Sequence, residues 1–211
     1  KKNFAAYSIG YSYKDYNEFE YSKLAAKKFD LNHRIVSTNA EQYFDDMDEL
    51  ISLRGQPLTI PNEPSQFRLC KNIKKEATVV LSGSGADELF CGYGRIFGSV
   101  DDYNKLKNIK KMKFKEKKIF LENVQKRYGK KTFKDKLDHF LTLYSYTNDK
   151  IKKKILSDNF DHQKMRKNFY NYFLKLFEEI KSENYSDKMQ YVFQKYHLKG
   201  ILEREDMSSM A

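Results

Sequence analysis

The residues best placed to do chemistry are Ser82-Gly83-Ser84-Gly85 and, directly after them, Asp87-Glu88. Glycines let a backbone turn sharply and come close to a ligand. Amides of such a loop beside a helix N-terminus favour bound phosphate. Two carboxylates just beyond would repel that phosphate unless a hard cation stood between them, and Mg²⁺ is the usual one. Together with the strand before it, the run therefore reads as a Mg-nucleotide site. It is not a Walker A loop, because no Gly-Lys-Ser/Thr follows, and Glu88 stands where a dinucleotide fingerprint needs its third glycine. A plain strand-to-helix turn, with Asp87 and Glu88 merely favoured in a first helical turn, is the competing reading. Spacing alone does not choose between them.

The elements that must position this loop lie on either side of it. Thr78 to Leu81 is a short apolar, β-branched run and reads as a buried strand. Phe4 to Tyr11 reads as a strand ending at Gly10, Asp15 to Asp30 as a helix capped by Asp15 or Asn17, and His33 to Val36 as a second strand. That is a β-α-β unit with parallel strands, and Leu24, Ala25 and Phe29 form the stripe expected to be buried. His33 is read as structural. Ala40 to Arg54 is a helix with Tyr43, Phe44, Met47, Leu50 and Ile51 on its apolar face, stopped by Gly55. Gln56 to Pro64 holds all 3 prolines and must be an irregular loop. Ser65 to Lys75 is helical again, with Phe67, Leu69, Cys70 and Ile73 turned inward.

Beyond Gly98 only helical periodicity appears, over about Tyr103–Met112, Lys115–Tyr128, Phe133–Tyr146, Ile151–Leu156, Gln163–Ile180 and Asp187–Glu205. The aromatic stripe of Phe169, Tyr170, Tyr172, Phe173, Leu176 and Phe177 reads as core.

The loop resembles the second signature of the asparagine synthetase synthase domain, a member of the ATP-pyrophosphatase or PP-loop group that also includes β-lactam synthetase. The resemblance rests on Ser82-Gly83-x-Gly85-x-Asp87-Glu88-Leu89-Phe90-x-Gly92-Tyr93. Tyr7-Ser8-Ile9-Gly10 is similar to a family strand. Gln56-Pro57 stands where the family has an acidic residue before proline, and Leu202 to Ala211 is similar to a helix carrying Asp-Arg-x-Ser-Met-Ala.

The resemblance implies an α/β fold: a PP-loop, adenine nucleotide α-hydrolase-like parallel sheet, truncated at its first strand and followed by a mostly helical half. Residues 1–100 would be the nucleotide-binding part and 101–211 the helical part of one synthase domain. The expected reaction is ATP-dependent, Mg²⁺-assisted adenylation of aspartate, then amide formation with ammonia from glutamine. Ile9 would line the adenine slot, Ser82 and Gly83 contact the nucleotide, Asp87 ligate Mg²⁺, and Glu88 order the loop or the cation's surroundings. Ser84 replaces a Glu or Asp found in many members and cannot supply that charge. Met207 replaces an arginine. Both put the acyl acceptor in question, so an adenylating enzyme acting on a peptide, a β-lactam precursor or a surface sugar is the alternative. A third reading is a degenerate member that binds ATP without turnover.

The family's first signature and its N-terminal glutaminase domain are not among these residues. The chain therefore reads as a fragment expected to be inactive alone, with that glutaminase domain as partner and a homodimer compatible with the resemblance.

The net charge is +11, which raises a noncatalytic basic module binding RNA as a further alternative. The excess sits mostly in the helical middle as lysines alternating with Phe, Ile and Leu. That is the pattern of a solvated helix face, so no specific nucleic-acid partner is expected. The 2 cysteines and 4 histidines show no metal-ligand spacing. Unpatterned cysteines and the lack of a long apolar run point to a cytoplasmic protein with no membrane partner.

Overall fold

The structure is a computed structural model that describes residues 4–210, except 14, 16, 146, 148, 158 and the side chains of 149 and 150. The chain divides into two compact units. Unit 1 comprises Lys1–Gly83 and Gly200–Ala211; unit 2 comprises Ser84–Lys199.

Unit 1 opens with strand β1 (Ala5–Tyr11), helix α1 (Phe19–Lys28) and strand β2 (Asn32–Thr38). The strands pair in parallel from Ala5 opposite Asn32 to Tyr11 opposite Thr38, as the β-α-β pattern requires. His33 is bonded within the sheet, its Nε2 lying 2.9 Å from Ser8 Oγ. Helix α1 is shorter than the expected Asp15–Asp30. Asn17 does not cap it but ties off the end of β1: its side chain accepts from the Tyr11 amide and donates to the Tyr11 carbonyl, both at 2.7 Å. The stripe expected to be buried is not. Leu24 and Phe29 are exposed, and Ala26 is the buried residue of the helix. A small side chain lets α1 lie close to the strands, which long side chains would prevent.

Helix α2 (Ala40–Arg54) begins with a capping box between Asn39 and Gln42 and stops at Gly55, whose φ of 65° is left-handed. Phe44, expected on its apolar face, is exposed at the surface. Helix α3 (Glu63–Ile73) starts two residues earlier than expected, so Pro64 lies in its first turn and not in the irregular segment. Proline fits there because the first helical amides have no partner within the helix. The expected strand at Thr78 to Leu81 is absent: the segment has no strand structure, and Leu81 is 94% exposed. A β-branched run becomes a strand only where a partner supplies ladder hydrogen bonds. Among the described residues the sheet holds β1 and β2 alone.

Among the described residues of unit 2 every regular element is a helix. Its elements are α4 (Ala86–Phe90), α5 (Gly94–Phe97), α6 (Ser99–Lys107), α7 (Phe114–Tyr128), α8 (Lys136–Tyr144), α9 (Asp149–Ile155), α10 (His162–Glu179) and α11 (Tyr185–Val192). Phe97, Leu137, Phe140, Phe173, Leu176, Phe177, Met189 and Phe193 fill its core. The inner half of the predicted aromatic stripe is thus core, whereas Phe169 and Tyr172 stay partly exposed. Position 146, the expected end of the Phe133 helix, lies outside the described residues. The single helix expected from Asp187 to Glu205 is interrupted. After α11 comes a π turn, Phe193–His197, before α12 (Leu198–Met210) resumes. Among the described residues no helix is long and apolar enough to cross a membrane.

Candidate functional site

The signature loop runs through the point where unit 1 gives way to unit 2, between Gly83 and Ser84. In unit 1, Ile9 sits in the middle of β1 opposite Val36, partly buried. Ser82 is exposed and donates from Oγ to Glu205 on α12 at 3.4 Å. Gly83 is exposed too, and a Cβ added there would meet nothing within 4 Å. The backbone at 83 is therefore open to approach.

In unit 2, Ser84 is exposed, and Gly85 takes a left-handed φ of 97° that a residue with a Cβ rarely adopts. That turn starts α4, which leaves one acidic residue exposed and buries the other. Asp87 is exposed, and its carboxylate lies against Gly92 so closely that a Cβ there would fall 1.8 Å from Asp87 Oδ1. Glycine at 92 is thus a requirement of the Asp87 position.

Glu88 points inward. It is 1% exposed, and its Oε1 accepts from the Tyr93 hydroxyl at 2.5 Å. Tyr93 packs in turn on Phe193 and His197, with ring centroids 5.2 and 5.6 Å away. Side chains of α11 and of the π turn also bond to the backbone of α4. Gln190 donates to the Leu89 carbonyl at 2.6 Å, and Gln194 donates to the Glu88 carbonyl at 3.5 Å. π turns inside α-helices recur at functional sites. Nothing in the composition around Phe193 announced this one, and neither glutamine was singled out in the sequence. Tyr93, five residues after Glu88, was the available signal for Glu88's inward turn.

The proline segment is organised by a buried ion pair that sequence reading also missed. Glu63 is fully buried and pairs with Arg54. It also accepts from the Thr59 hydroxyl and from the amides of Thr59 and Ile60, both at 3.0 Å. Burial pushes the Glu63 carboxyl upward, but the bonds from Thr59, Arg54 and the two amides outweigh it and hold it below its ordinary value. Arg54 reaches further: its Nη2 lies 3.5 Å from Met207 Sδ, and Gln56 Nε2 lies 3.6 Å from the same sulfur. A guanidinium therefore stands beside position 207, carried by α2. In the first turn of α3, Ser65 accepts from the Tyr11 hydroxyl at 3.2 Å.

No group of three or more His, Cys, Asp or Glu side chains converges as a metal cage among the described residues. Asp87 is the exposed carboxylate of the loop and stands as a single donor.

Comparison with known proteins gives a consistent result. The family model described as asparagine synthase matches residues 1–211. The glutamine-hydrolyzing asparagine synthetase 1 of Bacillus subtilis (strain 168) is 25% identical over 97% of this chain and 33% of its own length. Proteins of Mycobacterium bovis and Mycobacterium tuberculosis (strain H37Rv), provisionally named glutamine-hydrolyzing asparagine synthetases, are 26% identical over 41% of this chain and 13% of theirs. The chain thus spans about a third of the length of the Bacillus relative. No solved structure matches it.

Proposed function

The chain belongs to the asparagine synthase family, and from that premise we propose that residues 1–211 are part of a PP-loop synthase that uses ATP to convert a carboxylate, most simply that of aspartate, into an amide. In the first step an oxygen of the carboxylate bonds to the α-phosphorus of ATP. The bond from that phosphorus to the bridging oxygen breaks, and pyrophosphate leaves. In the second step ammonia, drawn from glutamine by a glutaminase domain of the same protein, attacks the acyl carbon and AMP leaves with the electron pair.

The observation that carries this reading is the division of labour between Asp87 and Glu88 within a family signature. Glu88, buried against Tyr93, fixes the turn; Asp87 is left exposed. A lone exposed carboxylate suits Mg²⁺, which keeps several waters and takes its remaining ligands from substrate phosphates. When bound, the ion would neutralise charge on the phosphates. The open backbone at Gly83 and the hydroxyl of Ser82 suit contact with the nucleotide, and Ile9 suits the adenine. Ser84 is neutral, so any negative charge or proton acceptor needed at the carboxylate must come from elsewhere.

The test is pyrophosphate release from ATP by the whole protein carrying this chain, supplied with ammonia, with and without aspartate. The expected result is aspartate-dependent release with asparagine formed, and a drop of about tenfold or more in Asp87→Asn, as for loss of a group stabilising developing charge. Near-normal turnover in that variant would overturn the assignment of Asp87. A second reading, a different acyl acceptor, is favoured by Ser84 and Met207, and release with another carboxylate but not with aspartate would establish it.

A further inference from the structure

A trough of about 630 Å³ opens on unit 2, lined by residues of α5, α6 and α7. Its volume falls in the range of small-ligand sites. The rim carries Arg95, Lys105, Lys126 and Arg127 against the single carboxylate of Asp102. That carboxylate is already committed. It accepts from Arg127 Nη1 at 2.6 Å and from the Tyr128 hydroxyl at 2.8 Å. Among the described residues no ion pair engages Arg95, Lys105 or Lys126.

The floor is of a different nature. Val124 is buried and Phe120 half-buried, and the Asn123 amide stands beside them. Three unneutralised cations around one trough call for a ligand with concentrated negative charge, more than a lone carboxylate offers. The apolar floor and the neighbouring amide call for a ring with polar edges. Single-stranded RNA would instead favour a long basic track with exposed aromatic platforms, and Phe120 is recessed.

We propose that this trough binds a phosphoester of the nucleoside diphosphate class, phosphates on Arg95, Lys105 and Lys126 and ring over Phe120 and Val124. The site is independent of the reading of the signature loop. Most of the lysine surplus of the chain is a solvated helix face; here it is gathered around a concavity.

The experiment is calorimetric titration of the 211-residue chain with uridine diphosphate, inorganic pyrophosphate and a uridine oligoribonucleotide, at low and moderate salt. Uridine diphosphate should bind more tightly than pyrophosphate, and its affinity should weaken as salt rises. The pair Lys105→Glu and Lys126→Glu should lower it at least about tenfold. Lys110→Glu with Lys118→Glu makes the same change of net charge outside the trough and should leave it within about threefold, as should Asp87→Asn. Circular dichroism of each variant verifies that the helices persist.

Equal loss in the two charge-reversal pairs would overturn the site in favour of a general electrostatic effect. Pyrophosphate binding as tightly as uridine diphosphate would overturn the nucleoside assignment. Binding of the oligoribonucleotide alone, or of none of the three, would overturn the proposal.

Discussion

Among the largest fully buried side chains of unit 2 are two phenylalanines, Phe140 and Phe173, and Phe140 meets Tyr144, Phe177 and Phe193 at centroid distances of 5.2 to 6.2 Å. At similar depth in unit 1 lie Glu63 and Asp46, each held by an arginine, with Leu50 and Phe67 beside them. The aromatic interior gains from area removed from water, and this gain hardly responds to pH. The polar interior of unit 1 brings little net stability but fixes geometry, since each buried carboxylate can be satisfied by only one arrangement of donors. Unit 1 is the part that must shape the irregular segment Gln56 to Pro61, and Glu63 does so by gathering the Thr59 and Ile60 amides.

The largest effect expected from breaking this contrast is in unit 2. Phe140→Ala should cost about 4 kcal/mol, through lost burial and the cavity left behind. Amide exchange should accelerate in α8 and α10, and an effect below about 1 kcal/mol would deny unit 2 its aromatic core. Glu63→Gln should cost about 3 kcal/mol, because it leaves the buried Arg54 guanidinium without its counter-charge. Here the contrast can be sharpened: adding Arg54→Met should restore part of the loss, as measured by denaturant unfolding. Simple additivity of the two changes would mean the pair is not coupled.

Acid should also act on the two units in different ranges. His139 is buried among Tyr103, Tyr128, Phe133 and Tyr185. Burial pushes it down from 6.5 to about 4, against the pull of Asp102 and Asp138 and with a further push from Lys130. The unfolded chain therefore binds the proton first, and this contribution is full above pH 6.5 and fades as pH falls towards 4. Its size is about 3 kcal/mol at most. Glu63 works lower: its contribution is full above 4.5 and is lost as pH falls through its depressed value. Exchange in unit 2 should thus rise between pH 6.5 and 4, before that of α2 and α3. The reverse order would contradict the assignment of both groups. The smallest effect belongs to Asn39→Ala, which removes one side of the capping box of α2 and should cost about 1 kcal/mol in thermal unfolding.

Much of this was legible in the residues. Helix α2 was read with its limits because a strong period ends at a glycine, and the parallel β1–β2 pair because two strands flank a helix. Thr78 to Leu81 was misread because β-branched composition reports a preference for strand, whereas a strand also needs a neighbour. Leu24 and Phe29 were misread because periodicity finds an apolar stripe without saying how closely the helix can approach its support. Glu63 and Asp46 escaped because charged residues are ordinarily exposed, and the arginines that neutralise them lie 9 and 22 positions away. The family was legible in the residues of the signature loop. The different burial of Asp87 and Glu88 was not, because it depends on Tyr93 and on a π turn about a hundred residues further on.

That π turn has a consequence for how the sequence can vary. Widening one turn by a residue shifts the phase of everything downstream by about 100°. Met189 and Val192 before it face the aromatic core, whereas Leu198 just after it lies 3.3 Å from the Cβ position of Gly85. In an unbroken α-helix Leu198 would point about 100° away from this direction. Segment Phe193–His197 should therefore accept exchanges of residue type at its exposed positions more readily than the loss of a single residue. Such a deletion would leave composition and helicity almost unchanged while turning Leu198 away from the signature loop.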